Sequence, residues 1–260
     1  MKVSATLLGT GTSMGVPVVG CDCEVCTSED PRDRRLRCSL LIDAVAVGRA
    51  PVQILVDTST DLRQQALTYG VERIDAILFT HAHADHILGL DEVRVFNFRQ
   101  GAPIPCLGTR ETLERIRRTF AYVFEDGEEG GGKPKLDLRE VDGPFRLFGL
   151  DVVPVPVLHG SLEVLGFRFG NFAYVTDCNS IPPSSLELLR GVEVLVLDAL
   201  RYRPHPTHFS IAESLEIVAQ LGPRQTYFTH LTHEVRHGAP AIDLPEGVAF
   251  GYDGLRIELS

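Results

Sequence analysis

No stretch of this 260-residue sequence is both long and apolar. Runs such as residues 192–197 are broken or flanked by acidic residues and stop far short of the ~18–20 residues of a membrane span. Lys2 is the only basic residue before the turn Gly9-Thr10-Gly11. That leaves no room for the charged and hydrophobic regions of a signal peptide, so a cytoplasmic protein with no membrane partner is expected. Basic residues are also short, 25 Lys and Arg against 35 Asp and Glu, for a net charge of −10. Nucleic-acid binders gain most of their affinity from basic patches on phosphates. Exposed charges are screened beyond about 8–10 Å, which leaves room for a local patch. The balance nevertheless favours a small anionic substrate neutralised by metal. No repeat, linker or composition shift divides the chain, so one domain over residues 1–260 is expected. A Walker lysine is missing too: Gly9-Thr10-Gly11-Thr12-Ser13-Met14-Gly15 reads as a tight turn rather than a nucleotide fingerprint.

The six cysteines are unevenly spread. Cys21, Cys23 and Cys26 crowd together, whereas Cys38, Cys106 and Cys178 are scattered. In a cytosolic chain this is no disulfide framework, but a metal clip plus ordinary buried thiols.

Short strands mixed with helices make up the rest. Strands are expected at residues 4–8, 40–42, 52–56, 76–79, 192–197 and 226–228, with a turn near Gly48. An edge strand is expected at 152–158, because prolines interrupt its β-branched run. Residues 167–175 read as a hairpin turning at Gly170-Asn171. Helices are expected from Asp61 to about Tyr69, from Arg110 to Phe120 and over 211–221, with a glycine-rich acidic loop at 125–133. Without a clean βαβ repeat, this mixed α/β (α+β) pattern favours a layered αββα sandwich over a doubly wound sheet.

Nearly every chemically useful residue falls just past an expected strand end, where a scaffold holds functional loops. The strongest signal is His81-Ala82-His83-Ala84-Asp85-His86, directly after a buried strand. Residues two apart in an extended chain share a face, so His81 and His83 suit one metal, and Asp85 and His86 face a second position. Imidazole and carboxylate suit Zn, Mn or Fe. Two metals ~3.5–4 Å apart would lower the pKa of a bridging water from 15.7 towards 7 and yield a nucleophile at neutral pH. His159 alone reads as a structural histidine, and Asp177 as a turn or cap residue; their order and strand-end positions raise both. His237 reads as a solvated loop residue.

The run resembles the His-x-His-x-Asp-His hallmark of the metallo-β-lactamase superfamily, whose later His, Asp and His match His159, Asp177 and His230. The resemblance implies the four-layer sandwich and a hydrolase. It would place one metal on His81, His83 and His159 and another on Asp85, His86 and His230, with Asp177 bridging.

Cys-x-Cys-x-x-Cys supplies three thiolates of a tetrahedral zinc site, and His233, three residues past His230, is the candidate fourth. With Gly15-Val16-Pro17, residues 89–94 and Gly251-Tyr252-Asp253-Gly254, this clip resembles the phosphoribosyl 1,2-cyclic phosphodiesterases of phosphonate breakdown. That resemblance implies a cyclic ribose phosphodiester as substrate and a homodimer. It also implies a further active-site histidine, matched by His208 with His205 as its rival, to protonate the departing oxygen or steady the phosphate. Asp85 is assigned a catalytic role besides ligation. Cofactors are then two catalytic divalent metals, Zn or Mn, plus one structural Zn. A tRNA 3′-end endonuclease and a pyrroloquinoline quinone accessory protein are the alternatives. The acidic 125–133 loop disfavours the first, and the complete set of seven ligands disfavours the second. Cys23→Ser is expected to lower bound zinc by one ion per chain in metal analysis; unchanged zinc would remove the clip.

Overall fold

The computed structural model describes residues 2–45, 50–125 and 132–259. The turn expected near Gly48 and most of the 125–133 loop lie outside these residues. The first half of the chain contributes β1 (Lys2–Gly9), β2 (Ser39–Val45), β3 (Val52–Val56), β4 (Ala76–Leu78), β5 (Ile104–Gly108) and β6 (Leu136–Glu140). Helices α1 (Leu62–Tyr69), α2 (Ala84–Ile87), α3 (Val93–Gln100), α4 (Arg110–Thr119) and α5 (Ala121–Phe124) lie between them. The second half gives β7 (Phe145–Leu147), β8 (Leu150–His159), β9 (Leu162–Phe169), β10 (Phe172–Val175), β11 (Val194–Asp198), β12 (Gln225–Thr229) and β13 (Val248–Phe250). Helix α6 (Pro183–Leu189) follows β10, and α7 (Ile211–Leu221) follows β11. Finally β14 (Arg256–Leu259) returns to pair with β1.

Two seven-stranded sheets result, ordered β14-β1-β2-β3-β4-β5-β6 and β13-β12-β11-β10-β9-β8-β7. Each is antiparallel at one end and parallel at the other, with β3 to β6 and β10 to β13 running parallel. Strand alternation explains the layering. Ala5, Leu7, Val194 and Val196 turn inward to a core between the sheets. Leu8, Leu55 and Ile77 turn outward against Leu62, Val93 and Ile116 of α1, α3 and α4. Leu195 and Leu197 likewise meet Leu189 and Ile211 beside α6 and α7. Strands buried on both faces read as continuous apolar runs, as 194–197 does. The protein is a four-layer αββα sandwich, and no helix among the described residues is long and apolar enough to cross a membrane.

Strand β8 is second in its sheet, not at the edge. β7 covers it only from Leu150 to Val152, so Pro154 and Pro156 fall where that side carries no partner strand. The hairpin between β9 and β10 turns at Gly170-Asn171, with Gly170 at φ 60°. Helix α7 begins with a capping box that pairs Ser210 and Glu213.

The glycine turn after β1 serves close packing. A methyl at Gly9 would overlap the Arg37 carbonyl oxygen, and one at Gly11 would sit 2.8 Å from that of Arg35. Between them, Thr10 donates its hydroxyl to Asp253 at 2.8 Å, and the Leu36 N–H donates to the same carboxylate at 2.7 Å. Burial raises Asp253 from 3.8 to about 7, against these hydrogen bonds. Between those values the folded chain keeps a proton that the unfolded chain has lost. The residue's contribution to stability therefore falls as pH rises through that window, by up to about 4 kcal/mol. Asp253→Asn is expected to flatten the loss of melting temperature between pH 5 and pH 8; equal losses in both proteins would contradict this.

Candidate metal centre

The C-terminal ends of β3, β4, β8, β10, β11 and β12 share one rim, and each delivers a polar residue to it. His81 follows β4, His159 ends β8, Asp177 follows β10, Asp198 ends β11 and His230 follows β12. Helix α2 begins at Ala84 within the histidine run and carries Asp85 and His86. The candidate ligand atoms of His81, His83 and His159 lie within 4.8 Å of one another. Those of Asp85, His86, Asp177 and His230 form a second such group. Asp177 joins them: its carboxylate is 3.3 Å from both His86 Nε2 and His230 Nε2, and 3.9 Å from His81 Nε2. Asp85 lies 3.4 Å from His86 Nε2 and 3.9 Å from His230 Nε2.

The outer ring nitrogens of His81, His86, His159 and His208 are held by the protein. Asp57, just past β3, accepts from His86 Nδ1 at 2.7 Å and from the Thr80 hydroxyl at 2.7 Å. That commits the Thr80 proton, so His81 Nδ1 donates to Thr80 Oγ1 at 2.9 Å. His159 Nδ1 donates to the Thr207 carbonyl at 2.7 Å, and His208 Nδ1 to Asp198 at 2.9 Å. Such partners fix the tautomer and ring orientation of a metal-binding histidine. The inner nitrogens, Nε2 of His81, His86 and His230, are buried without a hydrogen-bond partner.

The electrostatics carry the same signature. Burial disfavours charge on His86, yet Asp177 and Asp57 push it well above its ordinary value. His230 is raised to about 9 despite burial, chiefly by Asp177. Burial holds His81 well below its ordinary value, assisted by His86. Burial opposes ionisation of Asp177, but His230 and His86 keep it well below the carboxylate range. The pocket draws positive charge, and its imidazole and carboxylate donors suit a hard or borderline divalent cation.

Backbone strain gathers here too. Among the described residues, only Asp57, Phe148, Asp177 and His230 are non-glycines with positive φ, at 63°, 51°, 56° and 60°. Three of the four are in this cluster, where strain of ~1–3 kcal/mol per residue marks functional sites.

The clip residues also converge. Sγ of Cys21, Cys23 and Cys26 lies 3.2, 3.5 and 3.4 Å from His233 Nδ1. Buried Arg35 braces the segment that carries His233, donating to the carbonyls of Thr232 and Val235 at 3.1 and 2.7 Å while paired with Asp33 at 3.1 Å. Of the two further histidines, His208 stacks on His230 with ring centroids 4.6 Å apart, whereas His205 joins no candidate metal group among the described residues. His237 lies in a loop, as expected, but is half-buried: its ring packs edge-on against Tyr252 and Phe250, and the Asp33 carboxylate accepts from its backbone N–H at 2.7 Å.

Asp57, Thr80, Asp198, Thr207 and Arg35 were not singled out as site residues from the sequence. Asp57 and Asp198 carried a usable signal, since each directly follows an apolar strand as the candidate ligands do. Thr207 acts through its carbonyl and Arg35 through tertiary contacts, which leave no pattern in sequence.

A family model for the β-lactamase superfamily domain matches residues 53–231. The chain is 44% identical to the crystal structure of a new diphosphatase from the PhnP family, covering 100% of this chain and 98% of that one, with a TM-score of 0.91. It is 40% identical over 253 residues to an octanoyltransferase of Porphyromonas gingivalis, spanning 96% of this chain but only half of that protein's length. It is 25% identical over 227 residues to coenzyme PQQ synthesis protein B of Methylobacterium nodulans, covering 75% of this chain and 72% of that protein. A matched fold, a matched family model and a full-length relative agree: the chain belongs to the β-lactamase superfamily, with the metallo-β-lactamase fold, and within it to the PhnP family.

Proposed function

We propose that this protein is a dinuclear metal-dependent phosphodiesterase acting on a small, cyclic ribose phosphodiester, with residues 1–260 forming one hydrolase domain. The observation that supports it most is the set of buried, partnerless histidine nitrogens arranged around Asp177. In this reading His81, His83 and His159 hold one metal, Asp85, His86 and His230 the other, and Asp177 lies between. Cys21, Cys23, Cys26 and His233 hold a structural zinc, which ties the loop after β1 to the segment that carries His230. Two divalent metals at the cluster would supply an activated water and neutralise the phosphate's negative oxygens.

The chain's own residues then position the substrate and move its protons. Asp57 and Thr80 keep Nε2 of His86 and His81 facing inward, and Thr207 does so for His159. Asp85 shares its carboxylate between the His86 and His230 sides and helps to hold the nucleophile's proton. His208 has its Nδ1 committed to Asp198, so Nε2 is free to deliver a proton to the departing sugar oxygen. Its ring lies 4.5 Å from that of His159 and 4.6 Å from that of His230, beside both metal positions.

Turnover of ribose cyclic phosphate, 2′,3′-cyclic nucleotides and an activated aryl diester, with Zn and Mn added separately, tests this reading; no hydrolysis of any diester would overturn it. Loss of a general acid typically costs ~10²–10⁴-fold. His208→Ala is expected to lower kcat on that scale for a sugar leaving group and much less for nitrophenol, which departs without protonation. Equal losses on both would remove the proton-donor role.

A further inference from the structure

A recess of about 360 Å3 opens beside His81 and His83. It lies at the lower end of the ~300–1,000 Å3 typical of small-molecule sites. Both halves of the sandwich line it: α4 contributes Glu111 and Arg115, and the start of β9 contributes Leu162 and Glu163. The other arginines of α4 are engaged. Arg110 pairs with Glu140, Arg118 with Glu114, and Arg117 lies over the Phe124 ring. Arg115, Glu111 and Glu163 make no salt bridge or side-chain hydrogen bond among the described residues, although Glu111 and Arg115 are one helical turn apart.

One guanidinium and two carboxylates, exposed to solvent and without a salt-bridge partner among the described residues, line one recess, and a ligand that covers them must match their charges. A second phosphate would meet Arg115 but also two like charges. An apolar group would leave all three desolvated without partners, which is costly. A neutral group that presents an acceptor and an N–H donor along one edge meets Arg115 and one carboxylate and leaves the other in water. Nucleobase edges have that character: guanidinium groups donate to their carbonyls and ring nitrogens, and carboxylates accept from their amino or N–H groups.

We propose that this recess is a base subsite, with Arg115 and Glu163 selecting diesters whose sugar carries a nucleobase. The proposal rests on the phosphodiesterase reading and deepens it: the phosphodiester sits at the histidine cluster and its base lies between α4 and β9. Arg115 donates to a base carbonyl, and Glu163 accepts from the adjacent ring N–H. Leu162 offers the one larger apolar side chain against the ring.

Three nitrophenyl diesters with the same leaving group provide the test. Their second arm is thymidine linked through its 5′-oxygen, the same deoxyribose without a base, or thymidine bearing an additional 3′-phosphate. The wild-type kcat/KM is expected to be about tenfold higher for the thymidine ester than for the base-free ester, the scale of one good base contact. In Arg115→Ala and Glu163→Gln that ratio should fall towards one, mostly through KM. Cleavage of the thymidine and base-free esters at equal kcat/KM by the wild type would overturn the subsite. So would a preference for the 3′-phosphate that Arg115→Ala abolishes, since the recess would then be an anion site. Release of nitrophenol from none of the esters would overturn the subsite, and the phosphodiesterase reading falls only if ribose cyclic phosphate and 2′,3′-cyclic nucleotides also resist hydrolysis, so the two failures stay distinct.

Discussion

A fully buried carboxylate faces three buried imidazoles at this protein's rim, and much of the structure exists to make that tolerable. Asp177 lies within 3.3–3.9 Å of His81, His86 and His230 with almost no contact with solvent. An isolated buried charge would be expelled or neutralised. Here Asp177 stays ionised chiefly because His230 and His86, both raised in pKa, face it, and Asp57 supports the charge on His86 from behind. Asp57, itself buried and raised in pKa by burial, is sustained by His86 and by the backbone and hydroxyl of Thr80. The network is circular: each charge is kept in place by a neighbour that needs it.

The same logic accounts for where the backbone is strained. Asp57, Asp177 and His230 each turn out of a strand in the left-handed conformation, which reverses the chain at once and brings the side chain over the rim. A relaxed turn would take longer to change direction and would carry the donor away from the cluster. The cost is tolerable because β3, β10 and β12 are buried on both faces and held by neighbouring strands. Arg35 performs a similar service beyond the sheets. It clamps the segment from Thr232 to Val235, so that the ends of one short stretch meet both the histidine cluster and the cysteine clip.

Much of this was legible in the sequence, for identifiable reasons. Strands β3, β4 and β11 announced themselves as compact apolar runs because both faces are buried, and α7 through its spacing. The candidate ligands were legible because short-range patterning places them: four sit in one run, and the others follow strand ends. β8 shows where such reading stops. Prolines marked an unpaired side correctly, but sequence alone could not show that a three-residue strand covers only its first residues. β13 and β14 are too short to carry a pattern, and their pairing is decided by tertiary packing. The groups behind the histidines were missed because a carbonyl such as that of Thr207, or a brace such as Arg35, works through the fold and not through residue type. The partial burial of His237 was missed for the same reason, since it is made by Asp33, Phe250 and Tyr252, all distant in sequence.

In the function proposed above, these buried donors hold a pair of metals with Asp177 between them. Anomalous diffraction from crystals of the zinc-loaded protein tests it directly. Two peaks ~3.5–4 Å apart, flanked by His81, His83 and His159 on one side and by Asp85, His86 and His230 on the other, are predicted, as for other two-metal hydrolytic sites. A single peak there, or an ion bound instead by the alternative group of Asp198, His208 and His230, would contradict it.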